Sequence, residues 1–394
     1  MVSREIVQGI HWIGAIDFDR RIFDELIPLP NGTSYNSYLI CGSEKTALID
    51  TVDPTREFEL LSNIVKLNVE RIDYVVINHA EQDHSGCLPM VLEFFPDAVV
   101  VTNEKCKDLL IALHHLPANQ FRIIKDKETL SLGDRTLEFF MTPWTHWPET
   151  QITYLREDKI LFSCDLFGSH MASSDLYVTN EAEIYRSAKR YYAEIMMPFR
   201  NSIKGYVETV KALPLVMIAP SHGPIHQRPP LILDAYADWV SDTVKNEVVI
   251  AYVSMHGSTQ KMVEHLIDAL IARGITVKPF NLTRTDIGEL ALSLVDTATV
   301  IIATPTVLFG PHPQVVYATY LANMLKPKVR FASVIGSYGW GGKTVEVIEK
   351  MLDHVKVEVI EPVMVKGLPD ETTFLALNRL ADDILKRHRE SNIV

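Results

Sequence analysis

Cysteine is scarce in this chain. Cys41, Cys87, Cys106 and Cys164 stand far apart, with no Cys-x-x-Cys pair among them, so neither a thiolate metal centre nor a disulfide framework is indicated. Cys164 reads as a buried strand residue. Long apolar runs are missing too: no stretch of about eighteen apolar residues occurs, and the opening Met-Val-Ser-Arg-Glu-Ile lacks the apolar core of a signal peptide. A cytoplasmic protein with no membrane span is therefore expected. Positive charge is in deficit. Against 50 Asp and Glu there are 38 Lys and Arg, a formal net charge of -12, which argues against a nucleic-acid groove and is compatible with charge-guided docking of a partner.

The 394 residues, 47% of them apolar, exceed what one hydrophobic core serves, so two domains are expected, with a boundary near residue 246. Residues 1–246 show short strands and helices suited to an αββα sandwich, with hairpins around Gly42-Ser43-Glu44 and Gly133-Asp134 and a helical stretch that ends near Ala235 to Asn246, where the pattern changes. Residues 247–394 alternate strand and helix. Strands are expected at Val248–Val253, Thr276–Leu282, Thr299–Ala303, Phe331–Gly336 and Val357–Val365, with helices between and after them. Repeated β-α units imply a doubly wound parallel sheet that binds ligands beyond the strand C-termini.

What the chain does contain is a dense group of metal-binding side chains. Asn78-His79-Ala80-Glu81-Gln82-Asp83-His84-Ser85-Gly86 follows the apolar strand Asp73–Ile77 and precedes a helix expected from Ser85 to Phe95, placing two imidazoles and two carboxylates on one turn. A loop capping the next helix would explain one of the four. All four together, with Glu81 and Asp83 repelling one another, call for a cation. Three further donors end apolar strands: His146 after Leu137–Met141, Asp165 after Ile160–Cys164, and His222 after Met217–Ala219. Each alone reads as a hydrogen-bonded loop residue; the set of seven reads as a metal centre. Asp50, closing Thr46–Ile49, is read as a brace for the ligand loop, with a simple strand cap as the rival.

The order His-x-Glu-x-Asp-His, then His, Asp and His, resembles the metallo-β-lactamase fold, and within it the flavodiiron branch. Hydrolases of that fold usually carry His where this chain has Glu81; a carboxylate there makes a harder, oxygen-rich pocket that suits iron over zinc. The resemblance implies that His79, Glu81 and His146 hold one iron, that Asp83, His84 and His222 hold the other, and that Asp165 bridges them. Some flavodiiron proteins leave the His84 position uncoordinated. His226 and His170 are given no part in the chemistry, and no rubredoxin-like iron site is appended.

In the second half, Ser254-Met255-His256-Gly257-Ser258-Thr259 joins a strand to a helix, where hydroxyls and amides could surround a phosphate; a helix-capping Ser/Gly turn would read the same way. Thr304-Pro305-Thr306-Val307-Leu308-Phe309 and Gly336-Ser337-Tyr338-Gly339-Trp340-Gly341-Gly342 close two further strands. The three loops resemble flavodoxin, which implies FMN phosphate in the first and the isoalloxazine between the other two. Two departures stand out: Gly257-Ser258-Thr259 is poorer in Thr than a typical flavodoxin loop, and Leu308 or one of its neighbours stands where many flavodiiron proteins carry Asn. Trp340 and Tyr338 are candidates for ring packing or surface aromatics of a Gly-rich turn. His114 and His115 in an apolar helix, and His265, His354 and His388 on amphipathic helices, are expected to face solvent, while Tyr191, Tyr192, Met196 and Met197 pack a helix on the sandwich.

Across the whole chain the resemblance implies a two-domain flavodiiron oxidoreductase: FMN passes electrons to a diiron centre that reduces dioxygen to water, nitric oxide to nitrous oxide, or both. It also implies an external donor such as rubredoxin or a reduced deazaflavin, and a head-to-tail homodimer or a dimer of dimers. The rivals are a two-metal hydrolase with a flavodoxin appendage and a non-catalytic flavin electron carrier. Metal content separates the first rival and gas consumption the second.

Overall fold

A computed structural model describes residues 3–394. The chain divides into two compact units, one formed by residues up to Tyr192 with Phe199–Val240, the other by Ala193–Pro198 with Ser241–Val394.

In the first unit, period-2 alternation sorts side chains into two cores. Leu39, Leu48, Val75 and Val100 pack with Leu60, Ile64, Leu88, Val91 and Leu110 from helices, whereas their strand neighbours Ile40, Ile49, Val76 and Val101 join Leu137, Phe139, Leu155, Ile160 and Phe162 of a second sheet. The first sheet runs Arg4–Val7, Ile10–Trp12, Tyr38–Cys41, Thr46–Ile49, Tyr74–Val76, Val99–Thr102, Phe121–Ile123; the second runs Thr129–Ser131, Thr136–Met141, Gln151–Leu155, Ile160–Cys164, Met217–Pro220. Both expected hairpins form, Tyr38 pairing with Ile49 and Thr129 with Glu138. Thr46–Ile49 and Tyr74–Val76 are parallel, as are Ile160–Cys164 and Met217–Pro220, so their C-terminal ends reach the same edges as the loops carrying the candidate ligands.

The helix expected from Ser85 begins earlier and is broken. Gln82–Ser85 forms one turn and Leu88–Phe94 a second helix, with Pro89 near the start of the latter, where proline needs no amide partner. Asp83 and His84 therefore ride a helical turn, and only His79 and Glu81 lie in the connecting segment. The helical stretch expected to end within Ala235–Asn246 is Pro229–Trp239, and the next strand starts at Lys245.

The second unit is a parallel sheet in the order Thr276–Asn281, Lys245–Tyr252, Thr297–Val307, Phe331–Tyr338 and then Glu358–Val359, with Val363–Lys366 on the same neighbour. The single strand expected over Val357–Val365 is thus two short ones. Alternation again splits the strands: Val248, Ile250, Ile301 and Ala303 pack under helices Ser258–Ile271 and Glu371–Glu390, and Val249, Ala251, Val300 and Ile302 pack under Ile287–Leu294, Pro313–Leu325 and Thr344–Met351. The strand order reverses beside Lys245–Tyr252, the point at which doubly wound sheets open a ligand crevice. Among the described residues no helix is long and apolar enough to cross a membrane.

Candidate metal centre

All seven candidate ligands converge in the first unit, and they divide into two groups. His79, Glu81, His146 and Asp165 place one donor atom each within 4.8 Å of one another, as do Asp83, His84 and His222. Asp165 faces both. Its Oδ2 lies 3.7 Å from His79 Nε2 and 3.8 Å from His146 Nε2, while its Oδ1 lies 3.1 Å from His84 Nε2 and 3.3 Å from His222 Nε2. Glu81 Oε2 stands 3.0 Å from His79 Nε2 and 3.1 Å from His146 Nε2, and Asp83 Oδ2 is 3.1 Å from His222 Nε2.

Two of the imidazoles are fixed in the tautomer that coordination requires. His79 Nδ1 donates to Glu149 Oε1 at 2.7 Å, and His222 Nδ1 donates to the Ser34 carbonyl at 2.7 Å. With the ring proton committed there, Nε2 of each neutral ring carries a lone pair and faces carboxylate oxygens that also carry only lone pairs. Close approach does not make every one of these contacts a hydrogen bond: both Asp83 oxygens, His84 Nε2 and Asp165 Oδ2 are buried without a hydrogen-bond partner, although ring nitrogens lie near them, because the directions are wrong for N–H donation. Lone pairs about 3.0–3.4 Å apart that aim past one another are what ligands about 2.1 Å from a shared ion present. The donor set of imidazole and carboxylate, without thiolate, suits iron.

The electrostatics carry the same demand for positive charge. Burial works against a charged His79 ring, yet hydrogen bonds to Glu149 and Glu81 and the charges of Asp165 and Glu149 hold it well above its usual value. Burial opposes charge on His222 also, and the Asp165 and Asp83 carboxylates beside it raise it to about 10. Against its burial, Asp165 itself is held well below the carboxylate range by the neighbouring His84, His222 and His79 rings. A metal replaces those protons.

The surrounding residues explain how the ligands are held. Asp50 braces the ligand segment, accepting from Asn78 N–H at 2.7 Å and Asn78 Nδ2 at 2.9 Å, more than a strand cap would do; burial pushes its carboxyl up to about 6. Three supports have no spacing signal in the sequence. Glu149 bonds both His79 and Ala80 N, Ser34 seats His222, and the Tyr191 hydroxyl donates to Asp165 Oδ1 at 2.9 Å. Tyr191 is therefore more than a packing residue. His114, expected on a helix surface, is half-buried and lies 2.9 Å from the Ser85 hydroxyl beside His84. His265 is half-buried and stacks on Phe374, and His388 is wholly buried between Thr299 and Asn246 and does not face solvent; His354 does. His226 is buried and bonded to the Phe167 carbonyl.

Because Glu149 fixes the His79 tautomer, Glu149→Ala is expected to weaken metal binding about 10–100-fold. Competition against a graded chelator series measures this, and an unchanged affinity would remove Glu149 from that role.

In the second unit the three candidate loops lie at the C-terminal ends of the neighbouring strands Lys245–Tyr252, Thr297–Val307 and Phe331–Tyr338. Gly257 caps the helix Ser258–Ile271 at φ 88°, and a Cβ there would meet nothing within 4 Å; Ser254 Oγ accepts from Gln260 N–H at 3.1 Å. The Thr259 and Ser337 hydroxyls are 3.3 Å apart, joining the first turn of that helix to the strand that leads into the third loop. The middle loop is shorter than expected. Its strand runs on to Val307 and folds back onto Gly310–Pro311, so Pro305, Thr306 and Val307 belong to a hairpin. Leu308 and Phe309 are its two-residue tip, both at positive φ, the geometry of a tight hairpin turn. Ser337 and Tyr338 are likewise strand residues, and the third loop begins at Gly339. Met255 is 51%, Leu308 88%, Phe309 67% and Trp340 70% exposed, an apolar rim that a flat ring would cover.

Residues 33–223 match the model of the ODP family beta lactamases, and residues 250–377 match that of flavodoxin. The chain is 37% identical over 366 residues to a nitric oxide reductase of Moorella thermoacetica, covering 90% of each. It is 33% identical over 371 residues to a coenzyme F420H(2) oxidase of Methanothermobacter marburgensis, covering 91% of each. Among solved structures, the rubredoxin oxygen:oxidoreductase of Desulfovibrio gigas superimposes with a TM-score of 0.95 at 30% identity over 100% of both chains. The flavodiiron protein of Giardia intestinalis does so with a TM-score of 0.92 at 30% identity, over 98% of this chain and 96% of that one.

Proposed function

The chain belongs to the flavodiiron family, and from that premise we propose that it is an oxidoreductase carrying electrons from FMN to a non-haem diiron centre, where dioxygen is reduced to water, nitric oxide to nitrous oxide, or both. The observation that carries this reading is Asp165, whose two oxygens face the two groups of donors. His79, Glu81 and His146 would hold one iron, Asp83, His84 and His222 the other, with Asp165 between them. When bound, the iron pair supplies electrons and a place for both ends of a diatomic substrate.

The chain's own part is to hold the donors still. Glu149 and Ser34 fix the His79 and His222 rings, Asp50 ties down Asn78 beside them, and Tyr191 orients the shared carboxylate. For the flavin, the N-terminus of Ser258–Ile271 would take the phosphate, with Ser254–Thr259 around it. Pro305–Phe309 and Ser337–Gly341 would flank the ring, Leu308, Phe309 and Trp340 giving apolar contact. We place the diiron domain at 1–246 and the flavin domain at 247–394, supported by the compact unit whose main segment is Ser241–Val394. A hydrolytic role is disfavoured by Glu81 and by the flavodoxin half. The F420H(2) oxidase and rubredoxin oxygen:oxidoreductase relatives point to reduced deazaflavin or rubredoxin as donors, and we propose a cytoplasmic, head-to-tail homodimer.

Purified protein is expected to hold about two irons and one FMN per chain. After anaerobic reduction it should be reoxidised by dioxygen, nitric oxide or both, followed at the flavin absorbance in separate exposures. Zinc in place of iron, or no reoxidation by either gas, would sink the proposal.

A further inference from the structure

Beside the Asp83 and His222 donors lies a buried histidine outside the ligand set. His170 is 8% exposed, and its ring centroid stands 5.0 Å from that of His222, 4.8 Å from Tyr191 and 5.0 Å from Phe23. Its Nδ1 is 2.9 Å from Thr33 Oγ1. The Thr33 hydroxyl donates to the Ser34 carbonyl at 3.3 Å, the same carbonyl that accepts from His222 Nδ1. A hydroxyl has one proton. With that proton on Ser34 O, Thr33 Oγ1 must accept from His170 Nδ1–H, and His170 Nε2 is left with a lone pair.

That Nε2 is buried with no hydrogen-bond partner in the protein. An acceptor stranded in this way is destabilising unless a donor reaches it, and the neighbouring rings do not supply one: the Tyr191 hydroxyl donates to Asp165 and His222 Nδ1 to the Ser34 carbonyl. Resting on the diiron reading above, we propose that His170 is a positioning residue of the centre: its Nε2 accepts a hydrogen bond from a water molecule, whose second hydrogen is directed to a diatomic guest on the Asp83–His222 side. Thr33 and Ser34 then link His170 to His222, so that the ligand ring and the water are placed by one backbone segment.

The test compares His170→Phe, which keeps a ring and deletes the acceptor, with His170→Gln, which keeps an acceptor. Each variant is prepared with flavin and iron, and the readouts are iron content, the infrared N–O stretch of nitric oxide added to the reduced protein, and kcat and KM separately. His170→Phe should keep wild-type iron, shift the N–O stretch, and lower kcat about tenfold to a hundredfold with little change in KM; His170→Gln should recover most of both. An unshifted stretch in iron-replete His170→Phe overturns the inference, as does a His170→Gln protein as impaired as His170→Phe. Should His170→Phe fail to fold, Thr33→Val frees the ring tautomer, and a wild-type stretch there overturns the inference equally. If the wild-type protein itself forms no iron adduct with nitric oxide, the functional reading fails instead.

Discussion

Asp165→Ala protein is expected to keep its FMN while losing most of its iron, with gas reduction down on the order of a thousandfold or more. The two carboxylate oxygens point to different donor groups, so one truncation removes a ligand from both. The other two carboxylates of the donor set, Glu81 and Asp83, already face one group each, and the Tyr191 hydroxyl would lose its acceptor. The flavin loops belong to the other compact unit, so flavin absorbance should survive. Asp165→Asn tests charge against packing, because it keeps the shape and removes the charge; it too should lose iron. Wild-type iron content in either variant would remove Asp165 from the centre.

Mixing two inactive chains is expected to restore turnover if flavin and iron meet across a homodimer. The first partner is Asp165→Ala. The second is Gly257→Asp, chosen because Asp tolerates positive φ better than most residues, while its carboxylate would enter the open space beside Gly257 and repel a phosphate at the helix N-terminus. Alone, the second should bind FMN about a hundredfold or more weakly and keep its iron. In a head-to-tail dimer the hybrid holds one interface with an intact flavin facing an intact diiron centre, so about half of the wild-type activity per hybrid should return. Hybrids confirmed by native mass spectrometry that show no recovery would refute transfer across the dimer, as would a fully active monomer in sedimentation.

The parts of this site that could be read in the sequence are the donors that follow apolar strands, His146, Asp165 and His222 singly and the other four together. His79, Glu81, Asp83 and His84 sit within six residues, and the alternation of Leu48/Ile49 and Val75/Val76 fixes the strands that aim them. The supports were silent because each is brought in from elsewhere: Glu149 is 70 residues from His79, and Ser34 is 188 from His222. No local pattern marks a glutamate or a backbone carbonyl for such a task. His265 and His388 show a second limit. Amphipathic periodicity says that a helix has two faces, and a histidine is polar enough for the outer one, yet the inner face accepts it wherever Asn378, or Thr299 with Asn246, satisfies both its polarity and its shape. Element ends moved for simpler reasons. The strand expected to stop at Ala303 continues because Thr306 and Val307 find partners in Pro311 and Gly310, a pairing that exists only after the chain turns at Leu308–Phe309.

The seven donors are drawn from both sheets of the first unit, four from beyond Tyr74–Val76 and three from the loops after Thr136–Met141, Ile160–Cys164 and Met217–Pro220. A sandwich closed by leucines at that edge would be finished when its chain was synthesised. This one leaves the edge to be riveted by ions that the ribosome does not supply, so the fraction of chains with a fully secured sandwich is set by the iron available to the cell as well as by the sequence.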